Sequence, residues 1–300
     1  MTKDFINRRP AGTSTGGQFA PINRPSSDGL RLATANWDGS VSLWDGSEPD
    51  RSPERRHEEA RARSFRWHLD SARRALAGGD APAARFHLER TRSQEPPDAA
   101  SRLRRAALLV KLGEPGRAAD EYARAMDDPD DDDGRNWLGW ARALALAGDR
   151  AGYRGLRARL FARIAEIGPR PAPWRLVRAL ALGPDPADDP SALLAMAEAL
   201  PERGGDAYWN LSTRALVFFR AGQWQRTVDA ALKANREDPT TRACWPLLAM
   251  ACGRLGRSAE ADGWLRRSDA EPTTGPASLA DDRLDFRILR AEAGSTSGPR

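Results

Sequence analysis

Five glycines set the frame of this chain. Gly79, Gly113, Gly148, Gly222 and Gly256 are separated by 34, 35, 74 and 34 residues. A spacing of about 34 is the length of one helix-turn-helix repeat, and 74 is close to two of them. Superposing the segments on these glycines brings an alanine to the same place each time. Seven residues earlier stand Ala72, Ala106, Ala141, Ala215 and Ala249. Each residue type has its own reason to recur. Two helices cross closely only where the side chain between them is small. A helix that must stop and turn ends well on a residue with positive φ, which glycine adopts without cost. The pattern therefore predicts an all-α fold, with Phe65 to about Thr273 built from stacked helix pairs.

The same register fixes other positions. Five residues after each glycine come Ala84, Ala118, Tyr153, Thr227 and Ala261. Nine after Gly79, Gly113 and Gly256 come Leu88, Tyr122 and Leu265. Eleven before the glycines stand His68, Arg102, Trp137, Leu211 and Trp245. This order of large, small, glycine, small and large residues resembles the tetratricopeptide (TPR) repeat. The resemblance implies a helical-pair solenoid, in which the first helix of each pair lines a concave groove. Four positions depart from it. Arg105 and Arg214 stand where a core leucine is usual, and Arg157 and Ala231 where a large residue is usual.

Along the chain, residues 1–24 are rich in Gly, Pro, Ser, Thr and Arg and are expected to be a disordered tail. Residues 25–45 change character. Two strand-like runs, Leu30–Trp37 and Ser40–Trp44, flank Asp38-Gly39, a dipeptide suited to a tight hairpin turn. The Ser-Asp-Gly lead-in, the Leu-Ala-Thr-Ala strand and the closing Trp44-Asp45 resemble the middle of one WD40 blade. A propeller needs several four-stranded blades, so a partial repeat or remnant is implied. Residues 46–63 read as a linker to about Pro53, followed by a charge-alternating lead-in helix from Glu54.

About six helix pairs are then expected over 64–273. They are Ser64–Ala77 with Ala81–Ser93, Asp98–Leu112 with Pro115–Met126, and Asn136–Ala147 with Arg150–Ile167. A fourth, degenerate pair explains the long glycine gap. The segment ARALALAGD at 141–149 is echoed by VRALALGPD at 177–185, 36 residues on. That pair is Pro173–Leu182 with Ser191–Leu200, joined by a lengthened GPDPADDP connection. Asp206–Ala221 with Trp224–Arg236 and Thr241–Leu255 with Ser258–Ser268 complete the series, and Pro246 is expected to delay the start of its helix. Residues 274–300 hold an amphipathic helix, Asp281–Ala293, expected to cap the solenoid end, and a frayed tail. The order of partial WD40 repeat, linker and TPR-like pairs is similar to C-terminal regions of bacterial kinase/WD40/TPR signalling proteins. AARFHLER at 83–90 and AGDRAGYRGL at 147–156 carry that resemblance.

Chemistry is hard to place on this chain. No phosphate-cradling glycine loop, HRD or DFG triplet, nucleophile elbow or HExxH pair occurs. The acidic run Asp127–Asp133 fails the calcium-loop spacing and reads as a solvated turn. His57, His68 and His87 are scattered in sequence, and no metal or cofactor is expected. Two cysteines, Cys244 and Cys252, fit reduced thiols in a cytoplasmic protein, with Cys252 in a core register shared with Ala75, Leu109, Leu144 and Phe218. No stretch reaches the length of apolar residues a membrane helix needs. A net charge of +5, with pI near 9.7, leaves a basic nucleic-acid-binding repeat module as one alternative reading. The interspersed acids, 42 against 47 bases, count against it. A fragment of a larger kinase/WD40 signalling protein is the other alternative.

Protein–protein interaction in the groove is the expectation that remains. One groove-facing register reads Arg73, Ala107, Arg142, Leu216 and Met250, with Arg178 equivalent through the RALAL echo. Neighbouring turns add Arg66, Leu69, Leu138, Ser212 and Phe219. Such a groove suits an acidic-hydrophobic protein or peptide partner. Its arginines would pair with carboxylates, and Phe219 and Met250 would supply apolar contact. The carboxylate clamp of chaperone-tail TPR proteins needs a Lys/Asn pair, and this chain has Leu69, Leu103 and Leu138 where its lysine would stand, which counts against that activity.

Overall fold

The computed structural model describes residues 31–35, 41–45, 53–92, 94, 96, 98–126, 134–167, 172–186, 189–240, 242–270 and 280–296. The chain divides into two units, 1–63 and 64–300. In the first, β1 (Arg31–Ala35) and β2 (Val41–Asp45) pair antiparallel, with Arg31 opposite Asp45 and Ala35 opposite Val41. The 1–24 tail, the Asp38-Gly39 turn and the acidic run Asp127–Asp133 lie outside the described residues.

The second unit is all-helical. Its first helix, α1 (Pro53–Ala77), starts in the first unit, because the charge-alternating run continues without a break into the repeat. There follow α2 (Ala81–Arg90), α3 (Ala99–Lys111), α4 (Pro115–Ala125), α5 (Arg135–Ala147), α6 (Arg150–Ile167) and α7 (Trp174–Ala181). Then come α8 (Pro190–Glu198), α9 (Ala207–Arg220), α10 (Trp224–Glu237), α11 (Cys244–Arg254), α12 (Ser258–Ala270) and α13 (Ala280–Thr296). From α3 to α12 each helix packs on its neighbour in sequence, and α3, α5, α7, α9 and α11 also pack successively on one another.

The register glycines stop five of these helices in one way. Gly79, Gly113, Gly148, Gly222 and Gly256 all have φ between 70° and 82°. After each, the next backbone N–H donates back to a carbonyl four residues before the glycine: Asp80 to Ala75, Glu114 to Leu109, Asp149 to Leu144, Gln223 to Phe218 and Arg257 to Cys252, at 2.8–3.0 Å. This bond satisfies carbonyls that a helix C-terminus leaves without partners. The register alanines Ala72, Ala106, Ala141, Ala215 and Ala249 are all buried.

Two of the departures from the repeat pattern, Arg105 and Arg157, do work of the same kind. Buried Arg105 donates to the carbonyls of Thr91 (2.8 Å) and Gln94 (3.1 Å) beyond the end of α2, and pairs with Glu121 (2.5 Å). Buried Arg157 donates to the carbonyls of Leu180 (3.0 Å), Pro186 (2.7 Å) and Asp185 (2.8 Å). Arg220 adds a bond to Ala181 at 2.9 Å. Helix α7 has no left-handed glycine at its end, so two arginines from other helices finish it. Pro246 sits in the first turn of α11, which begins at Cys244, three residues later than Thr241.

The terminal helix, expected over Asp281–Ala293, runs from Ala280 to Thr296. It crosses the odd-numbered helices, packing on both α11 and α5.

Candidate functional site

The face made by α5, α7, α9 and α11 is where the chain concentrates its buried charge. Helix α13 lies on it with one stripe inward. Asp282, Asp285, Phe286, Leu289 and Ala293, spaced at helical intervals, are all buried, while Arg287 and Ala291 are exposed.

Asp285 is the centre of the arrangement and is fully buried. Arg142 of α5 donates through Nε to its Oδ1 at 2.7 Å and through Nη2 to its Oδ2 at 3.1 Å. Arg178 of α7 donates through Nε to Oδ2 at 2.6 Å, and through Nη1 to Ser212 Oγ (3.2 Å) and Thr213 Oγ1 (3.3 Å) of α9. Both arginines are buried, and the Arg178 guanidinium lies 5.8 Å from the Trp209 ring. Burial by itself would push the Asp285 carboxyl up, but the two guanidiniums outweigh it and hold the group below the usual range. For Arg178, burial opposes the charge and Asp285 more than restores it. A fork-shaped guanidinium gripping a carboxylate at both oxygens fixes orientation as well as charge.

Two further carboxylates tie α13 down. Asp282 accepts from Tyr208 Oη at 2.6 Å and from the backbone N–H groups of Arg242 (2.7 Å) and Ala243 (3.2 Å). Those amides lie at the start of α11, where unpaired N–H groups favour an anion. Burial raises the Asp282 carboxyl, and the nearby Asp285 charge adds to the rise, against the hydrogen bonds that lower it. Near the other end, Glu292 receives Arg220 Nη1 at 2.5 Å and Nη2 at 2.7 Å. Arg290 pairs with Asp269 at the exposed edge.

The expected groove residues divide into two groups. Arg142 and Arg178 do converge, as the RALAL echo places them, but they do not line an open groove: Asp285 of the same chain already holds them. Leu69, Leu138, Leu216, Phe219 and Met250 are buried within the chain and not presented on its surface. Arg66 and Arg73 on α1 are exposed, and Arg73 only approaches Asp70 at 3.9 Å. Sequence reasoning missed Asp282, Asp285, Glu292, Tyr208 and Arg220. A signal was present. The acids of α13 share one helical stripe with Phe286 and Leu289, so its buried face, and not only its outer side, is charged.

The remaining reactive groups are occupied by packing. Burial pushes the Cys244 thiol up to about 12, and burial with Glu260 nearby raises Cys252. His68 and His87, though 19 residues apart, meet between α1 and α2 with their Nδ1 atoms 3.1 Å apart. Burial lowers the His68 value, and His87 and Arg90 add to the effect. Among the described residues no group of three or more His, Cys, Asp or Glu side chains could hold a metal ion. Nor, among them, is any helix long and apolar enough to cross a membrane. No protein-family model matches the chain, and a search of curated proteins finds no match.

Proposed function

We propose that the chain is a TPR-like solenoid of about six helix pairs that acts as a non-catalytic, cytoplasmic interaction module. Its odd-numbered helices form the recognition face, and it binds an acidic-hydrophobic segment of a partner protein. The β1–β2 pair belongs to this reading as a partial WD40-like hairpin preceding the repeats. The single observation that carries the reading is Asp285. Arginines from equivalent positions of two successive repeats close on one carboxylate of a helix that crosses them. A face that recognises an acidic helix in this way has the chemistry of helix-in-groove binding. On α1, at the start of the same register, Arg66 and Arg73 are exposed and offer the same chemistry to a partner.

The test is cross-linking and affinity capture from the source cell, with the natural chain beside a variant carrying Arg66→Glu and Arg73→Glu. Both side chains are exposed, so the variant keeps its thermal melt. The expected result is a partner cross-linked through α1 and lost from the variant. Capture of the same proteins by both chains, or of none, overturns the reading.

A further inference from the structure

We infer that Trp67 of α1 and Phe86 of α2 form the apolar anchor of a docking patch, and that its occupant is an acidic segment of another protein carrying one large apolar side chain. This rests on the interaction reading above: the patch supplies the apolar half of a site whose basic half includes Arg66. Trp67 and Phe86 are the two large hydrophobic side chains exposed among the described residues, at 44% and 55%. Trp67 stands edge-on to His68, with ring centres 4.8 Å apart, and to His87 at 5.3 Å. Phe86 stands edge-on to His87, also at 5.3 Å. The His68–His87 contact joins the two helices, so four rings make one continuous aromatic surface across α1 and α2. Their mutual contacts hold the two exposed rings in place, which lowers the entropy a partner must remove.

The repeat does not itself ask for these rings. At the place Trp67 takes before its glycine, three later repeats carry Ser101, Asn210 and Cys244, small or polar and all buried. At the place of Phe86, three carry Asp120, Gly155 and Asp229, all exposed. A large ring at either position therefore neither fills the core nor suits a solvated face, and covering it with a partner's apolar side chain is favourable. Charge selects the occupant. Arg66 is next to Trp67 in sequence, and the Arg90 guanidinium lies 5.3 Å from the Phe86 ring. Both arginines are exposed, and among the described residues neither makes an ion pair. The acids beside the patch are already engaged. Arg73 approaches Asp70 at 3.9 Å, and Glu89 accepts from Arg117 at 2.8 Å and from Arg92 at 3.3 Å. Uncompensated positive charge thus surrounds an apolar centre, which favours carboxylates on either side of an apolar side chain and rejects lysines there. Tryptophan and arginine are also the residues that most often carry binding energy.

The experiment uses the full chain and three short fluorescent peptides. One has a central tryptophan flanked by aspartates and glutamates, the second has lysines in place of the acids, and the third has alanine in place of the tryptophan. Anisotropy follows binding. The expected result is saturable binding of the acidic tryptophan peptide, with a Kd between about 1 μM and 1 mM. The other two should bind at least about tenfold more weakly. Trp67→Ala and Phe86→Ala in the chain should each weaken binding at least about tenfold, and Arg90→Gln should reduce its sensitivity to salt. A second measurement needs no variant. In the natural chain labelled with nitrogen-15, the acidic peptide should shift the indole N–H signal of exposed Trp67. The signal of buried Trp245, whose Nε1 donates to Asn235, should stay in place.

Four outcomes overturn the inference. No peptide binds at about 1 mM. The lysine peptide binds as well as the acidic one. The Trp67 signal stays still while the peptide binds. Or the chain alone forms a dimer that Trp67→Ala dissolves, which makes a second copy the occupant. The capture experiment with Arg66→Glu and Arg73→Glu keeps the two readings apart. A partner lost from that variant but kept by a chain with Trp67→Ala and Phe86→Ala would leave the interaction reading standing and remove the anchor. Specific peptide binding with no partner captured would keep the anchor and remove the other.

Discussion

Arginines at matching places in the repeats meet opposite fates on the first helix and on the middle ones. On α1, Arg73 is exposed and only loosely near Asp70. On α5 and α7, its counterparts Arg142 and Arg178 are among the most buried charges in the chain, closed over a carboxylate from α13. Local sequence is nearly the same in each case: an arginine one residue after the register alanine, or its echo. What differs is the cover. A helix from the far end of the chain removes water from one set and leaves the other wet. Burial is therefore not a property of the repeat position alone, and a charge that looks like surface in one repeat is core in another.

The sharpest way to break this comparison is Asp285→Ala. It leaves two guanidiniums buried without their carboxylate, a change that costs about 3–5 kcal/mol. For a unit of this size that corresponds to a fall of roughly 6–20 °C in Tm, read by circular dichroism. A loss below about 1 kcal/mol would mean that the arginines find water or other partners and that the cover is loose.

Next in size is Arg157→Met, which keeps the apolar stem and removes the donors that finish α7. The expected loss is about 2 kcal/mol, from charged hydrogen bonds to three buried or half-buried carbonyls. Amide exchange should quicken first in the last turn of α7, while the glycine-stopped helices keep their protection.

The pH dependence comes third and separates the two aspartates of α13. Asp285 is held below the ordinary carboxyl value, so its contribution is fully present above the unfolded value of about 3.9 and lost as pH falls through its native one. Asp282 is raised, so its contribution is present below the unfolded value and lost as pH rises through its native one. Urea midpoints should therefore fall below about pH 4, with Asp285→Asn shallowing an acid limb to which the lowered Asp98 and Glu89 also contribute. An acid limb unchanged in Asp285→Asn would assign it to those other carboxylates.

Smallest of all is Arg73→Glu, expected to stay within about 0.5 kcal/mol of the natural chain in the same urea titration. A larger effect would show that the open end is covered after all.

Much of the fold is legible because one glycine and one alanine recur at fixed spacing, each for a local reason. The five left-handed glycines and their identical backward hydrogen bonds are what that spacing encodes. Even α7, which lacks the glycine, is found through the RALAL echo. The function of its odd residues is harder to read. Arg157 looks like an error in the pattern until the carbonyls of a helix 23 residues away come into reach. The site itself is half legible. Arg142 and Arg178 follow from the register, but Asp285 lies 107 residues from Arg178 in sequence, and no periodicity links them. The α13 helix is visible as amphipathic, yet its acids point inward, against the ordinary expectation that charge faces water. His68 and His87 are a nearer miss. They stand eleven residues before and eight after Gly79, so folding the pair about that turn brings them face to face.

The manner in which α7 ends bears on the order of assembly. Five helices carry their stop signal within their own turn and can close as soon as they form. Helix α7 borrows its stop from Arg157 and Arg220, 23 and 39 residues distant, on the segments before and after it. An isolated peptide of residues 172–186 should unwind at its last turn, and in the whole chain α7 should be completed only when α6 and α9 have both arrived. The middle of the array is thus a keystone, set late and locked from either side.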